Sequence, residues 1–232
     1  MEKLRVDIWS DVVCPWCAIG KRRFETALAR FPHMDEVEVV WRSFELDPSA
    51  AAVADSDAPS RLARKFGRSR EQMIAMMHQI EETAARDGVH LDLVHARNAN
   101  TFDAHRVIHL GAHRGVQDAV NARMLRGFLG EREPLGDREV LVRLASETGL
   151  DPEEVRATLA SDRFAAEVRQ DEQRAHTLGI HGVPFYLFGG VFGVSGAQPP
   201  GVFARALQQA WERIGDAGEA AKAAACGPEG CN

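Results

Sequence analysis

Four cysteines fall in two close pairs, Cys14 with Cys17 and Cys226 with Cys231. Cysteines paired in this way are typical of thiol redox chemistry or of metal binding. The first pair forms the motif Cys-Pro-Trp-Cys, whose two-residue spacer places the sulfurs within disulfide reach when the motif lies on a helix. The motif therefore predicts thiol–disulfide exchange, with half of a zinc site as the alternative.

The residues on either side of this motif predict a strand and a helix. Residues 3–9 alternate apolar and polar side chains, residues 15–31 carry apolar residues at helical spacing, and residues 37–44 predict a second strand. In this β-α-β unit Cys14 lies at the helix N-terminus, where unpaired N–H groups and the helix dipole stabilise a thiolate. We therefore expect Cys14 to attack a disulfide and the more buried Cys17 to resolve the mixed disulfide.

The middle of the chain predicts helices alone. Residues 46–58 are rich in Asp, Pro, Ser and Ala, which indicates a linker or loop. Helical periodicity, interrupted by Gly, Pro and Asp, then predicts helices at residues 70–86, 98–114, 116–128, 137–148, 152–159 and 163–178. Asp151 is expected to be the N-cap and Pro152 the first residue of the helix at 152–159. Strand signals return at residues 183–188 and 191–195, on either side of Gly189-Gly190, a composition that predicts a hairpin with a primed turn. Residues 200–214 predict a last amphipathic helix.

This order predicts an α/β protein with a thioredoxin-like core and a large all-helical insertion. The predicted divisions are a core at residues 1–58 and 179–214, a helical insertion domain at residues 59–178, and a flexible Ala/Gly-rich tail at residues 215–232.

The returning strand opens with Gly182-Val183-Pro184. Proline is tolerated at the first residue of a strand, and X-Pro is the linkage in which a cis bond costs little. We expect a cis Val183–Pro184 bond close to Cys14, with the Val183 backbone aimed at an extended peptide near the sulfurs.

Five separated motifs occur in an order that resembles a known family. They are DVVCPWC with the GKRRFE that follows it, FELDP, NTFDAHR, GVPFYLF and SGAQP. Over about residues 4–213 the chain resembles the thioredoxin-fold DsbA-like oxidoreductases, and more narrowly the cytosolic FrnE-like group. The resemblance implies that Cys14 and Cys17 are the redox pair and that Pro184 is the cis-proline. The spacer is Pro-Trp, whereas the periplasmic oxidase has Pro-His, so strong oxidising power is not implied.

Further residues are candidates for contact with a substrate. Besides Val183 and Pro184, these are Pro15, Trp16 and His105. Trp16 is expected at an exposed helix start, where an aromatic ring binds apolar peptide. His105 belongs to the NTFDAHR motif and is expected to border the groove over Cys14.

Two other features have a competing metal interpretation. His105, His109 and His113 share one face of a predicted helix, but a histidine stripe without a suitably placed carboxylate favours packing or surface exposure, and no metal site is predicted there. Cys226 and Cys231 flank a Gly-Pro-Glu-Gly turn. They are predicted to be an accessory redox pair, with a metal half-site and an inert tail as alternatives.

Composition limits the classes of partner and the location. The net charge is −6 and acidic and basic residues are interleaved, which argues against nucleic acid. The N-terminus shows no secretory signal and no apolar run reaches the length of a membrane span, so we expect a cytoplasmic protein without a membrane partner.

The sequence therefore predicts a protein thiol–disulfide oxidoreductase or isomerase that needs no cofactor, with glutathione as a candidate redox partner. Its substrates would be protein or small thiols and disulfides, and the chain would be a monomer or homodimer. Two alternatives stay open. The resemblance also implies glutathione-dependent isomerases or transferases of small aromatic compounds on the same fold, although such enzymes have no need of Cys17. A zinc-binding interaction protein that uses all four cysteines is the other.

Overall fold

A four-stranded mixed sheet lies at the centre of the protein, in the order β2-β1-β3-β4. The computed structural model describes residues 3–51, 56–97 and 100–225. The strands are β1 (Leu4–Ser10), β2 (Val37–Ser43), β3 (Phe185–Phe188) and β4 (Phe192–Ser195). β1 runs parallel to β2 and antiparallel to β3, so that Ile8 pairs with Trp41 on one side and with Tyr186 on the other. The sheet therefore joins the first and last parts of the chain.

Helices, turns and loops make up the rest of the described residues, together with a single 3₁₀ turn at Met34–Glu36. Those that belong to the sheet units are α1 (Pro15–Leu28) and α9 (Pro200–Ala225). Between β2 and β3 lie α2 (Ala58–Phe66), α3 (Arg70–Arg86), α4 (Phe102–His113), α5 (Gln117–Glu131), α6 (Arg138–Ser146), α7 (Pro152–Leu159) and α8 (Ala165–Thr177). The predicted α/β fold with a large helical insertion is confirmed.

Three differences from the sequence prediction concern helices: two helix ends and one helix that was not predicted. α1 ends at Leu28 and not near residue 31, because Phe31 precedes Pro32 and a residue before proline avoids the helical region. α2 was absent from the prediction, since its nine residues directly follow a Pro- and Ser-rich segment that indicates a loop, although their apolar side chains share one face. α9 does not end near Ile214 but continues through the Ala-rich segment to Ala225, in keeping with the high helix propensity of alanine.

The Gly189-Gly190 turn has the predicted form. Both glycines have positive φ, 57° and 73°, as a type I′ turn requires, and the Val191 N–H donates to the Phe188 carbonyl at 3.0 Å. The turn reverses the chain between β3 and β4 and holds β3 beside β1.

The two faces of the sheet are covered by different parts of the chain. On one face α1 and α9 pack through Phe24, whose ring centre lies 5.6 Å from Tyr186 and 5.8 Å from Phe203. On the other face Trp9 packs with a small buried cluster made of Ala175, Ile180 and Leu187. Alternation along β1 therefore sends Ile8 to one layer and Trp9 to the other.

Buried polar contacts attach the helical insertion to the sheet. Asp171 of α8 accepts hydrogen bonds from the Arg42 guanidinium at 2.9 Å and from the Ser43 N–H at 3.0 Å. On the opposite side Asp118 of α5 lies 2.6 Å from the Lys21 ammonium and accepts from the Trp41 indole at 2.9 Å. The buried Asp171 carboxylate needs such partners, and the exposed Asp118 carboxylate is the partner of the buried Lys21, so these contacts fix the insertion relative to α1 and β2.

Arg106 is a buried cation of α4 that organises the connection between α7 and α8. Its guanidinium donates to the Thr158 and Ser161 carbonyls, to the Arg163 carbonyl at 2.9 Å and to the Asp103 carboxylate at 2.8 Å. These carbonyls lie at a helix end that would otherwise leave them unpaired. The arginine of the NTFDAHR motif is therefore structural.

Candidate functional site

The cysteines of the CPWC motif occupy the N-terminal turn of α1. Cys14 is the N-cap residue and Pro15 the first helical residue, where its missing N–H removes no hydrogen bond. The Cys17 N–H donates to the Cys14 carbonyl at 3.0 Å. Both thiols are free, and Cys14 and Cys17 are only 4% and 1% exposed. The predicted position of the pair at a helix start is confirmed.

Cys17 is held in its protonated form. Burial is the largest cause that raises its pKa well above the ordinary value of 9.0, and the neighbouring Cys14 raises that pKa further through a hydrogen bond and its charge. The Ser10 hydroxyl and the Asp11 backbone lie beside the sulfur and lower the pKa of Cys17, but by less. The balance of these effects leaves the pKa of Cys17 well above its ordinary value.

The strand that follows the helical insertion brings a backbone carbonyl to Cys14. The Val183–Pro184 peptide bond is cis, as predicted, and the Cys14 thiol donates to the Val183 carbonyl over 3.5 Å. The Pro184 carbonyl accepts the Gly196 N–H at 2.8 Å, which ties this loop to the end of β4. The structure thus brings together Cys14, Cys17, Val183 and Pro184, whereas their roles in catalysis and substrate binding stay predictions.

Gly20 and Tyr186 hold this loop against α1, and the sequence reasoning missed both. A β-carbon at Gly20 would lie 2.5 Å from the Tyr186 hydroxyl and 3.0 Å from Pro184 Cγ, so only glycine fits. Tyr186 is fully buried, its hydroxyl has no hydrogen-bond partner among the described residues, and burial raises its pKa well above 10.0. The available signal was Gly20 itself, because a glycine is unfavourable inside a helix unless a close neighbour leaves no room for a side chain.

Apolar side chains surround the exposed side of the motif. Trp16 is 40% exposed at the helix start, consistent with its predicted place at the surface. Leu46, after β2, is also exposed, and its N–H donates to the Asp11 carboxylate at 2.8 Å beside the motif. Pro15 is half-buried. Contact of Pro15 and Trp16 with a substrate stays a prediction.

His105 lies inside the protein, beside Asp11. Its side chain is 2% exposed, and Nε2 lies 3.5 Å from the Asp11 Oδ1 without a hydrogen-bond partner. The carboxylate of Glu45, also buried, is close enough for the charge of His105 to lower its pKa, although burial has the larger effect and raises it. The predicted role of His105 in substrate contact stays a prediction.

The other histidines of the stripe have partners of their own. His109 contacts the Ser43 hydroxyl at 3.1 Å and the Asp171 carboxylate at 3.2 Å, and the His113 ring lies against Phe164. Within residues 3–51, 56–97 and 100–225, His, Cys, Asp and Glu side chains form no group of three suited to a metal ion. The His105/His109/His113 stripe is thus divided among separate packing contacts.

Two further predictions concern the tail and the membrane. Cys226 and Cys231 lie outside the described residues, so the accessory redox role stays a prediction; the helix α9 reaches Ala225, immediately before them. Of the helices that the structure describes, none combines the length and apolar character that a bilayer crossing requires.

Comparison with known proteins places this site in context. The family description "DSBA-like thioredoxin domain" matches residues 5–208. The crystal structure of a probable DsbA oxidoreductase from Streptomyces coelicolor is similar over 99% of this chain and 98% of its own, with 44% sequence identity and a TM-score of 0.86. The uncharacterized protein YwbO of Bacillus subtilis is 27% identical over 207 residues, which are 88% of this chain and 96% of that protein. A 2-hydroxychromene-2-carboxylate isomerase has a similar fold, with 15% identity, a TM-score of 0.67 and coverage of 91% and 98%.

Proposed function

Because the chain belongs to the family of DSBA-like thioredoxin domains, we propose that it exchanges disulfides with protein substrates through Cys14 and Cys17. The observation that carries this proposal is the convergence of a free dithiol and the Val183 carbonyl, which the Cys14 thiol contacts over 3.5 Å. The activity would be that of an oxidoreductase or isomerase. Membership of the FrnE-like group and a cytoplasmic location remain predictions from the sequence.

The reaction proceeds in two exchanges. The Cys14 thiolate, at the helix N-terminus, attacks a substrate disulfide, forms a mixed disulfide and releases one substrate thiolate. Cys17 then loses its proton and attacks the Cys14 sulfur, which forms the Cys14–Cys17 disulfide and releases the second substrate thiol. The substrate gains two electrons and two protons, and the dithiol loses them. The same steps in reverse oxidise a substrate dithiol.

The protein supplies orientation for both steps. Pro184 and the half-buried Val183 border the Cys14 sulfur, so an extended peptide beside Val183 would present its disulfide there. Exposed Trp16 offers apolar surface next to the attacking thiol. Both thiols are buried, but Cys14 is the N-cap residue that contacts the Val183 carbonyl and Cys17 lies within α1, which favours attack by Cys14 and resolution by Cys17.

The test uses the full chain with Cys226→Ser and Cys231→Ser, so that only the CPWC cysteines remain. In this background Cys14→Ser should abolish the reduction of a peptide disulfide, and Cys17→Ser should accumulate a mixed disulfide that mass spectrometry detects. A single activated thiol would suffice for a glutathione-dependent isomerase of aromatic compounds. Full turnover by Cys17→Ser would therefore overturn the dithiol proposal and favour that alternative.

A further inference from the structure

The loop of residues 196–199, between β4 and α9, is hydrogen-bonded to the backbone that contacts Cys14. The Gly196 N–H of this β4–α9 loop donates to the Pro184 carbonyl at 2.8 Å. The carbonyl of the preceding residue, Val183, accepts from the Cys14 thiol over 3.5 Å. A displacement of the loop would therefore move the backbone that borders the attacking sulfur.

Two further hydrogen bonds of the β4–α9 loop close within the loop and the end of β4. The Gln198 N–H donates to the Gly196 carbonyl at 2.9 Å, and the Gln198 side chain donates to the Ser195 carbonyl at 2.9 Å. These bonds give the turn its shape, but they do not connect it to the helix that holds the cysteines. Its place relative to α1 must be fixed by other contacts.

Arg23 supplies a hydrogen bond that joins this loop to α1. Its Nη1 donates to the Ala197 carbonyl at 2.7 Å, and its Nε donates to the Asp87 carboxylate at 2.7 Å. Asp87 is the C-cap residue of α3, so one guanidinium connects the loop, α1 and the helical insertion. Because the guanidinium is planar and its donors point in fixed directions, the bond to Asp87 also orients the bond to Ala197.

The setting of Arg23 differs from that of the arginine beside it. The side chains of Arg23 and Asp87 are only 19% and 23% exposed, so solvent screens their interaction less than it screens a surface ion pair. Arg22 is exposed and donates to the Asp87 carbonyl at 3.3 Å, in contact with the same residue but on the side away from the loop. Two neighbouring arginines of α1 thus share a partner, and Arg23 also reaches the β4–α9 loop.

We propose that Arg23 is a positioning residue for disulfide exchange and that Asp87 orients it. Arg23 holds the β4–α9 loop, and through this loop it holds the Val183 carbonyl beside the Cys14 sulfur. The proposal rests on the proposed function, in which a substrate peptide lies extended beside Val183. It adds a determinant of peptide recognition that lies outside the CPWC motif and makes no contact with the substrate itself.

The expected effect depends on the kind of disulfide. An extended peptide that lies along the Val183 backbone needs that backbone in place, whereas 2-hydroxyethyl disulfide has no peptide groups and needs only the attacking sulfur. In Arg23→Gln we expect the second-order rate constant for a peptide disulfide to fall about tenfold, which corresponds to about 1.4 kcal/mol, the size of one hydrogen bond. The rate constant for 2-hydroxyethyl disulfide should stay close to that of the wild type.

The experiment uses the full chain in which only the CPWC cysteines remain, reduced and then mixed with each disulfide in turn. Mass spectrometry of acid-quenched samples follows the formation of the protein disulfide. Arg22→Gln is the matched control, because it removes the same charge from the next position of α1 and leaves the bond to Ala197 intact. The control should react with both disulfides as the wild type does. Equal losses for the two disulfides in Arg23→Gln, or no loss for the peptide, would overturn the proposal.

Asp87→Ala covers the case in which Arg23→Gln fails to fold. It leaves α1 and the β4–α9 loop unchanged and removes the carboxylate that orients the guanidinium, so it should slow the peptide disulfide selectively, by a smaller factor. Selective slowing in Arg22→Gln and none in Asp87→Ala would contradict the assignment.

Amide hydrogen exchange gives a readout that needs no turnover. The Gly196 N–H, which donates to the Pro184 carbonyl, should exchange faster in Arg23→Gln and at the wild-type rate in Arg22→Gln. Unchanged exchange at Gly196 would refute the positioning role. Absence of reaction between the wild-type chain and either disulfide would instead refute the proposed function, so the two failures are distinguishable.

Discussion

Replacing Gly20 by alanine tests how tightly the loop with the cis Val183–Pro184 bond is packed on α1. The added β-carbon would lie 2.5 Å from the Tyr186 hydroxyl, 3.0 Å from Pro184 Cγ and 3.5 Å from the Ala197 Cα. The first two distances are shorter than van der Waals contact. Tyr186 cannot easily retreat, because its ring packs against Phe24 and Phe203 with centres 5.6 Å and 4.6 Å away.

Two opposing terms set the size of the effect. Alanine stabilises a helix interior by about 1 kcal/mol relative to glycine. Overpacking of a filled core costs about 1–3 kcal/mol, and two contacts in the core place Gly20→Ala in the upper part of that range. The expected net change is a loss of about 1–2 kcal/mol in the free energy of unfolding. Because Pro184 is one of the displaced groups, the rate of disulfide exchange should fall as well.

Urea unfolding of the reduced protein measures the first effect, and reduction of a peptide disulfide measures the second. Gly201→Ala is the control, because Gly201 lies in the first turn of α9 and an added β-carbon would meet only the far end of Arg205 at 3.9 Å. This control should keep its activity and gain up to about 1 kcal/mol of stability.

Tyr186→Phe identifies which contact is responsible. It removes the hydroxyl that lies 2.5 Å from the new β-carbon and leaves the ring in place. The double variant should therefore recover at least about 1 kcal/mol relative to the sum of the single variants. Stability of Gly20→Ala equal to or above that of the wild type would refute the reasoning, since the loop would then adjust without cost.

Two other predictions concern ionisation and Arg106. Burial raises the pKa of Cys17 and of Tyr186 in the folded protein. The stability that each group contributes is therefore complete below its ordinary pKa, 9.0 for Cys17 and 10.0 for Tyr186, and is lost as the pH rises through its raised pKa. In urea unfolding of the reduced protein, the free energy of unfolding should therefore fall by about 1.4 kcal/mol per pH unit for each group above its ordinary pKa. Tyr186→Phe should remove the part of this fall that begins at the ordinary pKa of tyrosine, 10.0. Arg106→Met should lower the free energy of unfolding by about 2–4 kcal/mol, because it leaves carbonyls at the end of α7 unpaired. The control Arg138→Ala removes an exposed arginine and should change the free energy of unfolding, measured by thermal unfolding, by less than about 0.5 kcal/mol. Similar losses in both variants would contradict the structural role of Arg106.

The parts that the sequence predicted well depend on local signals. The alternation in β1, the two glycines of the hairpin and the cysteines at a helix start can each be seen within a few residues. The α7 boundaries were likewise predicted, because Asp151 caps the helix and Pro152 begins it.

The parts that were missed depend on contacts between distant segments or, for α2, adjoin a segment that indicates a loop. Nothing near Gly20 in the sequence indicates that Tyr186 will press against it, and nothing near His105 indicates Asp11. α2 carried usable signals, with Asp57 as N-cap, Gly67 at positive φ after its end and its apolar residues on one face, but it directly follows a Pro- and Ser-rich segment typical of a loop.

The site is divided between the two ends of the chain. Cys14 and Val183 are separated by 169 residues in sequence, and the pairing of β1 with β3 that brings them together closes a loop through the whole helical insertion. Closing so long a loop is a late event in folding, because its entropy must be lost before the contacts form. During synthesis the chain therefore carries Cys14 and Cys17 long before it carries the segment that brings the Val183 carbonyl to Cys14. A ribosome-bound or C-terminally truncated chain that ends before Val183 has both thiols without this contact.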